Sequence, residues 1–400
     1  MTKIKILNQK ASSLHFNGTF YDTNREIDVS FTDSLRMAKL ANVEIVEPSI
    51  EKYDPLTFTR DKNFTFVSDI DTVSGWGNVS LNLIKYSSNE FRPSLLGRLL
   101  DVHDPKVLRA YQNEIDPESG LVIHEQPKEY WYSVPFERKI AIVPFETTVI
   151  PKTWIGRINS CRALLVPCQQ NVDAFRNSGV TIPIDIIHWG IDTDKFYPLE
   201  RTNDRPFTFG TMGALSTRKG TDILVEAFQK AFPTETDVKL ICKTSFNGYP
   251  FGCRDKRVQV DMTPVSHDDL LNTFFKKVDC FVFPTRGEGF GLTPLEAMAT
   301  GIPAIVTGWS GPVEYMTPET GWLIDYKMVP AKDFTEHVYH EDCGLWSEPS
   351  LDHLVELMRN AYNDRDMVKL KGKNAAEYVA KYWNWGVKIK MFKEALKKYL

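Results

Sequence analysis

Four hundred residues, 42 % hydrophobic and 25 % charged, describe two or three globular domains with room for sizeable cores. A net charge of −4 and a pI near 6.1 exclude a global attraction to nucleic acid or anionic lipid. Cysteines scattered without a C-x-x-C pair, a polar start after Met1 and no run of membrane-spanning length lead us to expect reduced thiols, a cytoplasmic location and no transmembrane segment.

In chain order, residues 1–52 read as a small β-rich module. Lys3 to Leu7, Leu14 to Asn17, Ile27 to Phe31 and Val43 to Val46 have strand patterns, and Asp33 can cap a short helix from Ser34 to Leu40. Phe64 to Val67 then opens a larger α/β domain, followed by Gly75-Trp76-Gly77 and a helical stretch from Asn78 to Tyr86. Asp69-Ile70-Asp71 spells a D-x-D pair, read as loop or capping carboxylates and not as metal ligands. Leu121 to His124 and Lys139 to Val143 are buried strands. Residues after strand C-termini carry the chemistry in open α/β sheets, so His124 and Glu146 are candidates; a hydrogen-bonded structural role suits His124 better. Leu164 to Cys168 is a further strand, and polar residues 199–206 read as a linker.

Phe207 to Met212 opens a second domain, followed by Arg218-Lys219-Gly220 and an amphipathic helix with Ile223, Leu224, Ala227 and Phe228 on one side. Val238 to Cys242, Val258 to Val260 and Cys280 to Phe283 read as strands. The last leads into Gly287-Glu288-Gly289-Phe290-Gly291 and a helix signalled by Thr293 as N-cap, Pro294 at the first helical position and Glu296 three after the cap. Gly301 ends that helix, and Ile302 to Val306 is the next strand. Glycines admit close approach of a ligand, and amides at a helix start favour an anion. Carboxylates at Glu288 and Glu296 suit hydroxyl groups of ribose or sugar better than phosphate. Residues 327–349 form a long insertion with His337, His340 and Cys343, whose spacing fits no metal site. The chain closes on helices rich in lysine, interrupted near Trp383-Asn384-Trp385-Gly386.

The stretch 279–316, with Glu288 and Glu296 bracketing Gly-Phe-Gly-Leu and with Glu-Ala-Met-Ala-x-Gly-x-Pro after it, resembles the donor-site motif of retaining GT-B glycosyltransferases, family 4 above all. The resemblance implies an α/β fold of two Rossmann-like domains facing a cleft, here with the small N-terminal module: 1–52, an acceptor domain 53–198, a donor domain 199–375, and a terminal helix 376–400 crossing back. It implies that Glu296 binds ribose, Glu288 holds the sugar, and Gly289, Phe290, Gly291, Leu292 and Thr293 meet sugar and phosphate. It gives Arg218 and Lys219 the departing diphosphate, and Gly75 and Gly77 a phosphate-facing glycine loop. Two departures stand out. Ala214 occupies the place of a family arginine, with Arg218 as the compensating charge. Glu146 stands after Phe145 where many members have a histidine, and would take over the sugar contact.

The expected activity is metal-independent transfer, with retention, from a nucleotide sugar, UDP-sugar favoured and GDP-sugar second, with no cofactor. The acceptor is open among a glycan, a lipid-linked glycan, a protein and a modified nucleic acid; the lysine-rich helix leaves peripheral membrane contact as a minor option. The alternatives are a non-catalytic nucleotide-sugar binding module and a sugar phosphorylase on the same scaffold.

Overall fold

The computed structural model describes residues 63–400 apart from 73, 117, 133–138, 203–204, 245–252 and 264–266; ahead of residue 63 it describes the backbone of five strands. These are β1 (Thr2–Ile6), β2 (Ser13–Phe16), β3 (Thr19–Asp22), β4 (Glu26–Val29) and β5 (Val43–Glu47). β1 pairs antiparallel with β4 and β5, and β2 with β3, so the expected antiparallel unit is present with β3 added. The helix expected at 34–40 lies outside the described residues.

Two larger sheets follow. The first is built from β6 (Asn63–Val67), β8 (Arg92–Leu96), β10 (Gly120–His124), β11 (Lys139–Ile142), β12 (Ala163–Val166) and β13 (Ile184–Ile186), with β7 (Ile70–Asp71) and β9 (Leu99–Leu100) as a short parallel pair beside it. Its order is β13-β12-β11-β10-β6-β8. The second is built from β14 (Phe207–Met212), β15 (Val238–Lys243), β16 (Val258–Asp261), β17 (Cys280–Phe283), β18 (Ala304–Thr307) and β19 (Gly321–Ile324). Its order, β16-β15-β14-β17-β18-β19, is parallel throughout. Both are Rossmann-like α/β sheets. Their central strands read as unbroken apolar runs because helices cover both faces.

The chain divides into two compact units: residues 1–143, 157–164 and 392–400, and residues 144–156 and 165–391. In the first unit α1 (Gly75–Ser87) starts earlier than expected and takes Gly75 and Gly77 into its first turn. Ser74 causes this: its hydroxyl accepts the Gly77 N–H at 2.9 Å while donating to Asp71 at 2.7 Å. Gly77 has no room for a side chain, since a Cβ there would lie 2.5 Å from the Asp71 nitrogen. Asp69 pairs with Arg98 at 2.7 Å. His124 is buried, stacked at 4.6 Å on Trp76 and 2.7 Å from the Ser80 hydroxyl; burial pushes its imidazole down to about 3. That is the structural role its place in a buried strand suggested. Residues 392–400, at the end of the terminal helix, complete this unit: Phe392 meets Phe64 at 6.3 Å, Lys397 pairs with Glu90 at 2.5 Å, and Leu400 covers Gly120.

The second unit holds α2 (Lys152–Asn159) in part, α3 (Gln169–Asn177), α4 (Thr221–Ala231), α5 (Leu292–Ala299), α6 (Lys332–Tyr339), α7 (Leu351–Asn363) and α8 (Arg365–Tyr382). Leu224, Ala227 and Phe228 face its core beside Phe209, Leu240 and Val282, and Ile223 is buried as well. The insertion expected at 327–349 is a hairpin of β20 (Tyr326–Pro330) and β21 (Leu345–Pro349) with α6 between them.

Candidate active site

In the second sheet the strand order reverses between β14 and β17, the place where parallel α/β sheets open a ligand crevice beyond their strand C-termini. The loops after these two strands carry Arg218 and Lys219 on one side and Glu288 on the other. Lys219 Nζ lies 2.6 Å, and Arg218 Nη1 2.7 Å, from the same oxygen, Glu288 Oε1. Arg218 Nη1 also donates to the Gly287 carbonyl at 2.7 Å and lies 3.9 Å from Glu146 Oε1. All four residues proposed from sequence for the chemistry, Glu146, Arg218, Lys219 and Glu288, thus form one cluster.

Its charges are unequal. Burial by itself would raise the Glu288 carboxyl, but the Lys219 ammonium and Arg218 guanidinium hold it below the usual carboxylate range. Burial lowers Lys219, against the pull of Glu288. Glu146 is raised, because burial outweighs the attraction of Arg218. Two positive groups and an ionised carboxylate, all largely buried, make a site whose cations can be handed to an anionic ligand.

The glycine loop is shaped by close approach and by one left-handed residue. A Cβ on Gly287 would lie 2.0 Å from the Glu146 carbonyl oxygen. Gly291 has φ +84° and holds the N-cap position of α5, with its carbonyl accepting the Tyr315 hydroxyl at 2.5 Å. This corrects the sequence reading of that helix start. Thr293 is not the cap, since left-handed Gly291 lets the helix begin at Leu292, and the buried Thr293 hydroxyl meets no hydrogen-bond partner among the described residues. Phe290 packs against Trp189 at 5.5 Å and Tyr315 at 5.6 Å, which fixes the loop from below.

Glu296 follows on α5 and is released from any capping-box duty by the same shift. It is 8 % exposed, and burial raises its carboxyl to about 7. No hydrogen bond or ion pair joins this carboxylate to a described residue. A buried acceptor of this kind carries a desolvation cost that a ligand hydroxyl would relieve.

Gly75 and Gly77 lie in the first unit, at the start of α1. His337, His340 and Cys343 do not gather into a group able to hold a metal, and no such group occurs among the described residues. No helix among them is long and apolar enough to cross a membrane.

Three contributors were not read from sequence. Arg286 is buried and pairs with Asp222 at 2.8 Å and Glu348 at 2.6 Å, anchoring the loop ahead of Glu288. Ser310 has φ 64°, a backbone region that favours glycine, and its hydroxyl accepts the Glu288 N–H at 3.1 Å. Tyr339 brings its hydroxyl to 3.4 Å from Glu146 Oε2. Only Arg286 has a signal, a lone cation three residues after the strand Cys280–Phe283.

Residues 206–340 match the family model for "Glycosyl transferases group 1". The chain resembles the GT-B glycosyltransferases of that group. It is 29 % identical over 163 residues to the lipopolysaccharide core biosynthesis mannosyltransferase LpsB of Rhizobium meliloti, covering 36 % of this chain and 46 % of LpsB. It is 25 % identical over 206 residues to a GDP-mannose-dependent alpha-mannosyltransferase of Corynebacterium glutamicum, covering 47 % of this chain and 46 % of that one. The chain spans about half the length of the curated relatives it matches. The GT-B fold is shared with sucrose-phosphate synthase from Thermosynechococcus elongatus, with a TM-score of 0.62 at 16 % identity over 84 % of this chain and 98 % of that one. It is shared also with Anabaena HepE in complex with UDP and glucose, with a TM-score of 0.61 at 13 % identity over 84 % of this chain and all of that one (100 %).

Proposed function

We propose that this protein transfers a sugar from a nucleotide-sugar donor to an acceptor, with retention of configuration and without a metal ion. The observation that carries this reading is the shared grip of Lys219 and Arg218 on one oxygen of Glu288, with Glu296 buried and free further along the same loop and helix.

On donor entry the diphosphate competes for the two cations, and the Glu288 carboxylate turns to the sugar hydroxyls. Glu296 accepts from the ribose hydroxyls, while the main chain of Gly289 to Thr293, at the positive end of α5, faces sugar and phosphate. As the glycosidic bond breaks, negative charge grows on the leaving diphosphate, and Arg218 and Lys219 stabilise it there, the part a divalent cation takes in other transferases. Glu146, beside Arg218, meets the transferred sugar. The acceptor attacks from the face the diphosphate leaves, and its proton passes to the departing phosphate oxygen.

A UDP-sugar is the favoured donor and a GDP-sugar the second choice. HepE is known in complex with UDP, and the Corynebacterium relative depends on GDP-mannose. Melting the protein with UDP-, GDP- and ADP-sugars, each with and without a chelator, tests the reading: one nucleotide class raises the midpoint by several degrees, and the chelator changes nothing. Slow release of nucleoside diphosphate from that donor marks a transferase. Release of sugar 1-phosphate on adding phosphate would instead mark a phosphorylase, and binding without turnover across varied acceptors a binding module.

A further inference from the structure

The insertion between Tyr326 and Pro349 grips both loops of the site. On the side of Glu146, Thr148 N–H donates to the Leu345 carbonyl at 3.0 Å and Leu345 N–H donates back to the Thr148 hydroxyl at 2.8 Å. Val149 N–H donates to the Cys343 carbonyl at 3.3 Å, and Lys152 N–H to the Glu341 carboxylate at 2.9 Å. On the side of Glu288, Ser347 N–H donates to the Arg286 carbonyl at 2.9 Å, and Glu348 holds the Arg286 guanidinium. The last residue of α6 is Tyr339. Its ring lies 5.5 Å from both Phe145 and Trp154, which aims the hydroxyl at Glu146 Oε2, 3.4 Å away. That distance is long for a hydrogen bond, as such contacts often are before substrate draws a site together.

We propose that Tyr339 is a positioning residue for sugar transfer, its hydroxyl holding the Glu146 carboxylate in the orientation that meets the sugar. The proposal rests on the transfer reading above and assigns a purpose to the insertion. Besides Tyr339, the charged groups facing Glu146 are Arg218 and Lys219 from the loop after β14 and Glu288 from the loop after β17. Burial raises Glu146, and Arg218 opposes that rise. Burial also drives the Tyr339 phenol well above its ordinary value, so Tyr339 stays a neutral donor at any working pH. A donor to the ionised carboxylate favours that form, so removing the hydroxyl raises Glu146 further.

The test is Tyr339→Phe, which keeps the ring against Phe145 and Trp154, together with 3-fluorotyrosine at position 339, a stronger donor of the same shape. In the phenylalanine variant the acid limb of kcat at saturating donor, where Glu296 is already engaged, moves up by roughly half a unit to one unit, and kcat falls about ten-fold while donor KM changes little. With fluorotyrosine the limb moves down. The carboxyl 13C titration of Glu146, assigned by its loss in Glu146→Gln, moves in the same directions without needing substrate. In a Glu146→Gln background, Tyr339→Phe costs nothing further. An unmoved limb and titration in an active enzyme, or losses that simply multiply in the double variant, overturn the proposal. A titration that shifts in a protein turning over no nucleotide sugar overturns the transfer reading instead, leaving the Tyr339–Glu146 contact standing.

Discussion

Lys219 Nζ and Glu288 Oε1 lie 2.6 Å apart, and Arg218 reaches the same oxygen at 2.7 Å. One carboxylate oxygen therefore contacts two cations and balances the charge of one of them. The shared oxygen holds both cations in place, and on the proposed reading Glu288 is released to the sugar hydroxyls when a diphosphate takes them over.

The first prediction concerns Lys219. Lys219→Ala lowers kcat by about 10²- to 10³-fold, the range for losing one preorganised group that stabilises transition-state charge. Arg218 still satisfies Glu288, so the circular-dichroism spectrum is unchanged. Steady-state kinetics on the donor identified by melting checks this; full activity in the variant would remove Lys219 from the reaction.

Glu296 makes the second prediction through pH. Its carboxyl is raised to about 7 from an ordinary 4.5 by burial. The folded protein then binds a proton more readily than the unfolded chain, so this group's contribution to stability is full below the ordinary value. It is lost as pH rises through about 7. Glu296→Gln cannot ionise. The variant should gain on the wild type as pH rises through that window, by up to about 3 kcal/mol from a shift of this size. Urea unfolding of both proteins across the window measures the difference; parallel curves would refute it. The affinity of the wild type for nucleotide should move the opposite way, weakening as pH falls below 7, because only the ionised carboxylate is a full acceptor.

Gly287 gives the third. The Glu146 carbonyl oxygen would sit 2.0 Å from an added Cβ, and neither backbone can yield cheaply. Gly287→Ala should destabilise by about 1–3 kcal/mol and cut kcat more than it raises donor KM, since it parts Glu146 from the Arg218–Glu288 pair. A variant with native melting and native kcat would show that the two loops are not held as described.

Much of this was legible because it is local. Cys280–Phe283 announces itself as a strand through an apolar run closed by Pro284, and the strand has those bounds. Glu288 and Glu296 stood out because a capping box explains only one of them. The start of α5 departs from its sequence pattern through one device: a good cap stands at Thr293, whereas the backbone uses Gly291, whose left-handed turn is anchored by Tyr315 from 24 residues on. The same holds at α1, where Ser74 and Asp71 wind the glycines into the helix. Tyr339 reaches Glu146 across 193 residues, and no spacing rule links the two. Ser310 carries a backbone conformation that its residue type gives no reason to expect.

The Leu400 side chain covers Gly120 and Phe392 lies against Phe64, so the first unit borrows its final wall from the far end of the chain. During synthesis, the rest of this unit, ending at residue 164, emerges early yet waits for roughly two hundred more residues before that wall arrives. The second unit is made whole, or nearly so, in the interval. Domain-by-domain folding on the ribosome is therefore inverted here: the unit begun first is finished last.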